Sequence, residues 1–255
     1  MTRKKHARSV IAMAVSAGVL FGAGLLVWAD EPMTAEQYAA DPAAMLEAYR
    51  HVETGSVSDA LEQQLKLRRY MSSRMQANFT TRFAGYAVTV KLEKREGGTS
   101  ADLQGMLTAI DQGGKDQVYV MQVEDGANIA GIGGLMGTAM FQRGFAGAVI
   151  DGGVRDLGQL RKIGFPVYAL GPVPSTSVGH YRFAGANIPI VADGVPVNPG
   201  DIVVADQDGV VVVPRAQAAM ILVAAQRLDY TEQSTIPFIG RFRSIEEAVR
   251  QFGRI

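Results

Sequence analysis

Arg155 and Asp156 stand directly after Gly152-Gly153, inside the stretch VIDGGVRDLGQLRKIGFPVYALG (149–171). Ala148-Val149-Ile150 reads as a strand, the glycine pair as a turn, and 157–163 as a helix closing at Gly164. A guanidinium holds a carboxylate through paired N–H groups. An aspartate holds a hard divalent cation, with waters completing the shell. A second glycine-rich strand-to-helix turn, GIGGLMG (131–137), lies upstream, with 20 residues between Gly134 and Arg155. Amides at a helix start attract an anion. One rim carrying amides, a guanidinium and a carboxylate suits a 2-oxo acid chelated to Mg²⁺ or Mn²⁺. The plainer reading is a solvated ion pair, with Asp156 capping the helix that follows it.

Other chemistry-bearing residues point elsewhere. His180 has no second histidine nearby and reads as a loop or interface residue, because an isolated histidine is a weak catalytic signal. Asp151 reads as a buttress of the glycine turn. GIGGLMG lacks the Lys-Ser/Thr ending of a phosphate loop and the full dinucleotide pattern, which argues against a nucleotide. Ser175 and Ser177 have no G-x-S-x-G context, which argues against a serine hydrolase. The absence of cysteine excludes thiol catalysis, and three histidines (His6, His51, His180) argue against a multi-histidine metal cluster. Twenty-five basic and 25 acidic residues cancel, so no polyanion is indicated and nucleic acid is not an expected partner.

The elements that must position these residues alternate between strand and helix. Helices are expected over 33–50, 56–76, about 100–110, 157–163 and 215–232, and strands over 83–93 and 117–125 and at the ends of the 149–171 stretch. That alternation predicts an α/β core. Between 188 and 214 the pattern changes to short strands punctuated by Asp193-Gly194, Pro199-Gly200 and Asp208-Gly209. Ser244 and Glu247 form a capping-box pattern before a last short helix.

The N-terminus reads as an export signal. Arg3, Lys4, Lys5 and Arg8 precede an uncharged apolar run over 9–29, and Val27 and Ala29 offer the −3 and −1 positions of a signal-peptidase site. The expected division is a signal peptide at 1–29 and a single α/β domain with a C-terminal helical extension at 30–255. An uncleaved membrane anchor is the alternative, since about 18 apolar residues can cross a bilayer. Either reading places the domain in the periplasm or outside the cell.

A glycine, 20 residues and then Arg-Asp resembles the signature of the class II pyruvate aldolases of the 4-hydroxy-4-methyl-2-oxoglutarate aldolase type, within the RraA-like superfamily. The resemblance extends through VSDAL (57–61), FAGYAVTV (83–90), GAVIDGGVRD (147–156), GFPVYALG (164–171) and PVNPGDIVVADQDGVVVVP (196–214). It implies an α-β-β-α sandwich like the swivelling phosphohistidine domain, assembled as a homotrimer or a hexamer. It also implies a metal-dependent carbon–carbon lyase acting on a small 2-oxo acid through a pyruvate enolate. By the same resemblance, the amides of Gly133, Gly134, Leu135 and Met136 cradle the pyruvyl carboxylate, Arg155 binds substrate and Asp156 binds Mg²⁺ or Mn²⁺. A glutamate from a neighbouring subunit approaches the site, for which Glu232 is the candidate. The chain departs from the pattern at Gln159 and Leu135, where many members carry acidic side chains. A non-catalytic RraA-type regulator, and an isomerase or lyase of another exported acid, remain alternatives.

Overall fold

The computed structural model describes residues 32–79 and 81–252, so the expected signal at 1–29 lies outside the described residues. The chain order is α1 (Ala35–Ala40), α2 (Pro42–Tyr49), α3 (Thr54–Leu65), β1 (Gln76–Ala77), β2 (Phe83–Lys94), α4 (Gln104–Gln112), β3 (Gln117–Val123), β4 (Ala130–Ile132), α5 (Gly134–Gln142), β5 (Gly147–Val154) and α6 (Leu157–Ile163). It continues through β6 (Val167–Pro172), β7 (Tyr181–Ala186), β8 (Ile190–Ala192), β9 (Val195–Val197), β10 (Ile202–Asp206), β11 (Gly209–Val213), α7 (Ala218–Phe242) and α8 (Ile245–Phe252).

The main sheet runs β1-β6-β5-β3-β2-β10-β11. Its centre, β6-β5-β3-β2, is parallel, and these strands read as near-continuous apolar runs because both faces are covered. Strand β2 is long enough to serve two partners, with β10 pairing along its first residues and β7 along its last. The sheet nearly closes on itself. The Met71 amide donates to Val210 O at 2.9 Å and the Val212 amide donates to Arg69 O at 2.9 Å, while β1 pairs with β6. Met71, Phe83, Val120, Val149, Tyr168 and Val203 fill the interior between the two walls of the sheet. Outside, α4, α5 and α6 cover one wall, with Leu103, Ile110, Met140, Leu160 and Phe165 buried beneath them. Helices α2, α3 and α7 cover the other, with Leu46, Leu61, Ile221 and Leu222 buried. The result is a helix layer, two sheet walls and a second helix layer, the expected α-β-β-α arrangement.

Helix boundaries depart from the sequence reading for local reasons. Residues 33–50 form two helices, because Pro42 starts a new one with Asp41 Oδ1 accepting from the Ala44 amide at 3.0 Å. Helix α3 stops at Leu65, with Lys66 at φ 57° in the left-handed region, rather than running to 76. Helix α7 continues past 232 and through Pro237 to Phe242. There the Thr231 and Thr235 hydroxyls donate to carbonyls one turn back, at 2.8 and 2.7 Å. At α8 the Ser244 hydroxyl does cap, accepting from the Glu247 amide at 3.2 Å. Strands β8 and β9 pair only with each other, while β10 and β11 join the main sheet. Among the described residues no helix is long and apolar enough to cross a membrane.

Candidate active site

Strand β5 carries the chain to the rim of the sheet, and Gly152-Gly153 is part of that strand rather than the expected turn. Glycine is required there by close packing. A side chain at Gly153 would meet Val173 Cγ1 at 2.1 Å and Ile129 O at 2.9 Å. The change of direction comes later, at Asp156, with φ 59° and ψ 37°. Aspartate is one of the few non-glycine residues that adopt this region readily. Helix α6 starts at the next residue, and fully buried Leu160 packs it against α5, Leu160 Cδ2 occupying the space a side chain at Gly137 would take.

Asp156 therefore stands at the N-cap position of α6, but its side chain makes no bond to that helix. Asp156 Oδ2 instead accepts from the Gly134 amide, the first residue of α5, at 2.8 Å. This corrects the reading of Asp156 as the cap of its own helix. The carboxylate sits at the positive end of the neighbouring helix, which favours its charge. Gly133 makes that approach possible, since a Cβ there would lie 2.7 Å from Asp156 Oδ2 and 3.0 Å from Arg155 Cγ. The Leu135 and Met136 amides, in the first turn of α5, have no acceptor within the helix. The Gly134 amide is already engaged by Asp156.

Arg155 and Asp156 form an ion pair without a hydrogen bond. Arg155 Nε lies 3.8 Å from Asp156 Oδ2, beyond hydrogen-bond distance, and both side chains are about half exposed. Such a pair contributes little to stability. The guanidinium is held from the other side, Nη1 donating to Ser175 O at 2.9 Å. Ser175 is itself anchored, its hydroxyl accepting from the Ala130 amide at 2.9 Å and donating to Asn128 O at 3.1 Å.

The pair stands between two cavities. One, of about 420 Å³, is bounded by Gly133, Leu135, Met136 and Ala139 on the α5 side and by Leu107, Ile110 and Asp111 of α4. The other, of about 540 Å³, lies toward Val154, Leu157 and 172–174. Gly133, Leu135, Met136, Arg155 and Asp156 thus share one cavity, and Gly134 is bonded to its edge. The contribution of α4 was not foreseen. Its signal is the spacing of Leu107, Ile110 and Asp111, which places all three on one helix face.

Other candidates lie apart. Glu232 belongs to α7, in the opposite helix layer, and does not line either cavity within one chain. His180 Nδ1 lies 3.1 Å from Glu96 Oε2 on an exposed loop. Burial pushes the Asp151 carboxyl up, against the pull of the Asp193 backbone beside it. Gln159 Nε2 donates to Thr138 Oγ1 at 3.3 Å, linking α6 to α5.

Among the described residues no three acidic or histidine side chains gather to form a metal cage. A single carboxylate, with one oxygen engaged by an amide and the other outside that bond, fits a hard cation that keeps most of its waters and takes the rest of its shell from substrate. It does not fit a closed tetrahedral zinc site.

A family model described as RraA-like, Aldolase/RraA, matches residues 54–212. A protein of Halalkalibacterium halodurans is 29% identical over 179 residues, 70% of this chain and 80% of its own length. One from Deinococcus radiodurans is 33% identical over 133 residues, 51% of this chain and 76% of its own. Both carry the name "Putative 4-hydroxy-4-methyl-2-oxoglutarate aldolase". The crystal structure of Streptomyces coelicolor RraAS2, described as an unusual member of the RNase ES inhibitor RraA family, superposes with a TM-score of 0.68 at 26% identity, covering 76% of this chain and 96% of that one.

Proposed function

Since the chain belongs to the RraA-like family, we propose that it is a divalent-metal-dependent carbon–carbon lyase that cleaves or decarboxylates a small 2-oxo acid through the enolate of pyruvate. The observation that carries this reading is the 2.8 Å bond from the Gly134 amide to Asp156, beside the Arg155 guanidinium. It sets a carboxylate, a cation and the first amides of α5 on one cavity wall.

In this reading the Leu135 and Met136 amides and the start of the α5 dipole receive the substrate carboxylate. Arg155 faces the keto oxygen, where negative charge develops during cleavage, and such preorganised help is worth several kcal/mol. Asp156 holds Mg²⁺ or Mn²⁺, which when bound supplies a Lewis acid for the keto and carboxylate oxygens. In a 4-hydroxy-2-oxo acid the C4 hydroxyl loses its proton and the C3–C4 bond breaks. Its electron pair passes toward C3 and the keto oxygen, and a proton then returns to C3, leaving pyruvate and an aldehyde or ketone. Oxaloacetate reaches the same enolate by losing CO₂. In a homotrimer or hexamer, Glu232 of a neighbouring copy would approach the site. The reading places the enzyme in the periplasm or outside the cell, after cleavage behind Ala29 or held by the uncleaved segment.

The likeness to RraAS2 supports a second reading, a regulatory binding protein without turnover. Purified protein with Mg²⁺ or Mn²⁺, offered oxaloacetate and a panel of 4-hydroxy-2-oxo acids, separates the two. The lyase releases pyruvate from at least one of them. Silence across the panel favours the regulator.

A further inference from the structure

We infer, resting on that reading of the site, that Ser175 is a positioning residue for the reaction: its hydroxyl fixes the backbone carbonyl that sets which edge of the Arg155 guanidinium meets the substrate. The Arg155 side chain is long and about half exposed, so packing alone does little to orient its head. Among the described residues the guanidinium makes one hydrogen bond, from Nη1 to Ser175 O at 2.9 Å. That bond leaves the Nε and Nη2 hydrogens, the parallel pair that forks around two oxygens. The Nε end of the pair lies toward the rim, 3.8 Å from Asp156 Oδ2 and 3.1 Å from where a Cβ on Gly133 would stand.

The carbonyl is placed by the hydroxyl of its own residue. Ser175 stands past the end of β6, in a segment without helix or strand. That segment is first tied to β5 by the Val173 amide, which donates to Val154 O at 2.9 Å. Pro174 then has no amide to donate. The next anchor is the Ser175 hydroxyl, which accepts from the Ala130 amide and donates to Asn128 O. A hydroxyl does both at one atom, whereas alanine does neither. Ala130 is buried and belongs to β4, which pairs with β5 at Gly153. Arg155 and the carbonyl that holds it are thus fixed against the same pair of strands. All of these bonds lie within one chain, whatever a neighbouring copy adds to the site.

The test is a double-mutant cycle between Ser175→Ala and Arg155→Lys, with Ser175→Thr as the rescue. Pyruvate release in Mg²⁺ gives kcat/KM at a temperature well below every Tm. Calorimetric titration of oxalate, whose paired oxygens resemble those of the enolate, into protein with Mg²⁺ gives a readout that needs no turnover. In the wild-type background Ser175→Ala lowers kcat/KM and oxalate affinity by about tenfold, through partial misplacement of the guanidinium. In the Arg155→Lys background, where the Nη1 bond is already gone, it costs no more than about twofold. Ser175→Thr keeps the hydroxyl and brings both readouts back to within about twofold of the wild type. Equal losses in the two backgrounds overturn the inference, as does a Ser175→Ala protein that loses Tm while keeping kcat/KM and oxalate affinity. If the wild type binds oxalate with the coupling intact but releases no pyruvate, the lyase reading fails and the positioning role stands. A wild type that neither releases pyruvate nor binds oxalate overturns both.

Discussion

Asp156 Oδ2 lies 2.8 Å from the backbone nitrogen of Gly134, 22 residues away and on a different helix. One carboxylate thereby fixes the start of α5 against the start of α6, and its second oxygen is left outside that bond. The arrangement separates structural from chemical roles. Asp156→Ala removes the acceptor and places alanine at φ 59°, so unfolding stability falls by about 1–3 kcal/mol. Asp156→Asn keeps an acceptor oxygen and tolerates that backbone, so it stays within about 1 kcal/mol of the wild type. Urea unfolding of both variants checks the contrast.

Gly133→Ala damages turnover far more than Gly134→Ala. At Gly133 the added carbon lies 2.7 Å from Asp156 Oδ2 and 3.1 Å from Arg155 Nε, and it pushes both side chains off the rim. At Gly134 the nearest atoms, Asp156 Cβ and Gln159 Cγ, are both 3.2 Å away, and a small shift relieves the contact. Parallel measurement of kcat/KM and Tm shows a large loss of activity at the first position and a small one at the second.

Arg155→Lys keeps the positive charge but loses the fork, together with the Nη1 bond to Ser175 O. With the side chain about half exposed, the fold barely registers the change. Turnover does, with kcat/KM down by roughly a hundredfold, as for loss of one donor to a developing oxyanion. A drop in Tm without a drop in kcat/KM would mark Arg155 as structural.

Asp193 carries a prediction about acid stability. Its side chain is almost fully enclosed. Burial works to raise its carboxyl, but the Ser72 amide at 2.5 Å and Arg74 Nη2 at 2.7 Å outweigh burial and hold it below the usual carboxylate value. A depressed carboxyl contributes stability that is present above the unfolded-state value and lost as pH falls through the folded one. Asp193→Asn, which suits the left-handed φ of 44°, therefore lowers stability by about 1–2 kcal/mol at neutral pH. The gap closes below about pH 4. Unfolding free energies of both proteins across pH 3–7 read this directly.

The pattern of residues revealed the layers of the fold and one wall of the site, for separable reasons. Apolar runs such as 117–123 and 147–150 mark buried strands whatever surrounds them. The Arg155–Asp156 pair and the glycines at 133 and 134 were visible because few residue types do what they do. The role of Gly152-Gly153 was not visible. A glycine needed for a turn and a glycine crowded by Val173 look the same in one dimension. Nor was the actual partner of Asp156, because the cap position of α6 is local while the Gly134 amide arrives from another helix. Asp111 and Leu107 were hidden for the same reason, their helix facing the rim only once β2 and β3 set it there. The helix boundaries at Pro42 and Lys66 were decided by single residues, while α7 runs on through Pro237, where a threonine hydroxyl bonds a carbonyl one turn back.

The central claim is that Asp156 and Arg155 share one bound ligand rather than neutralising each other. Pyruvate release by Asp156→Asn in Mg²⁺ or Mn²⁺, measured beside its Tm, tests this most directly. The account predicts a fold that melts close to the wild type and metal-dependent release reduced by at least about a hundredfold. Near-wild-type release from the folded variant would contradict it.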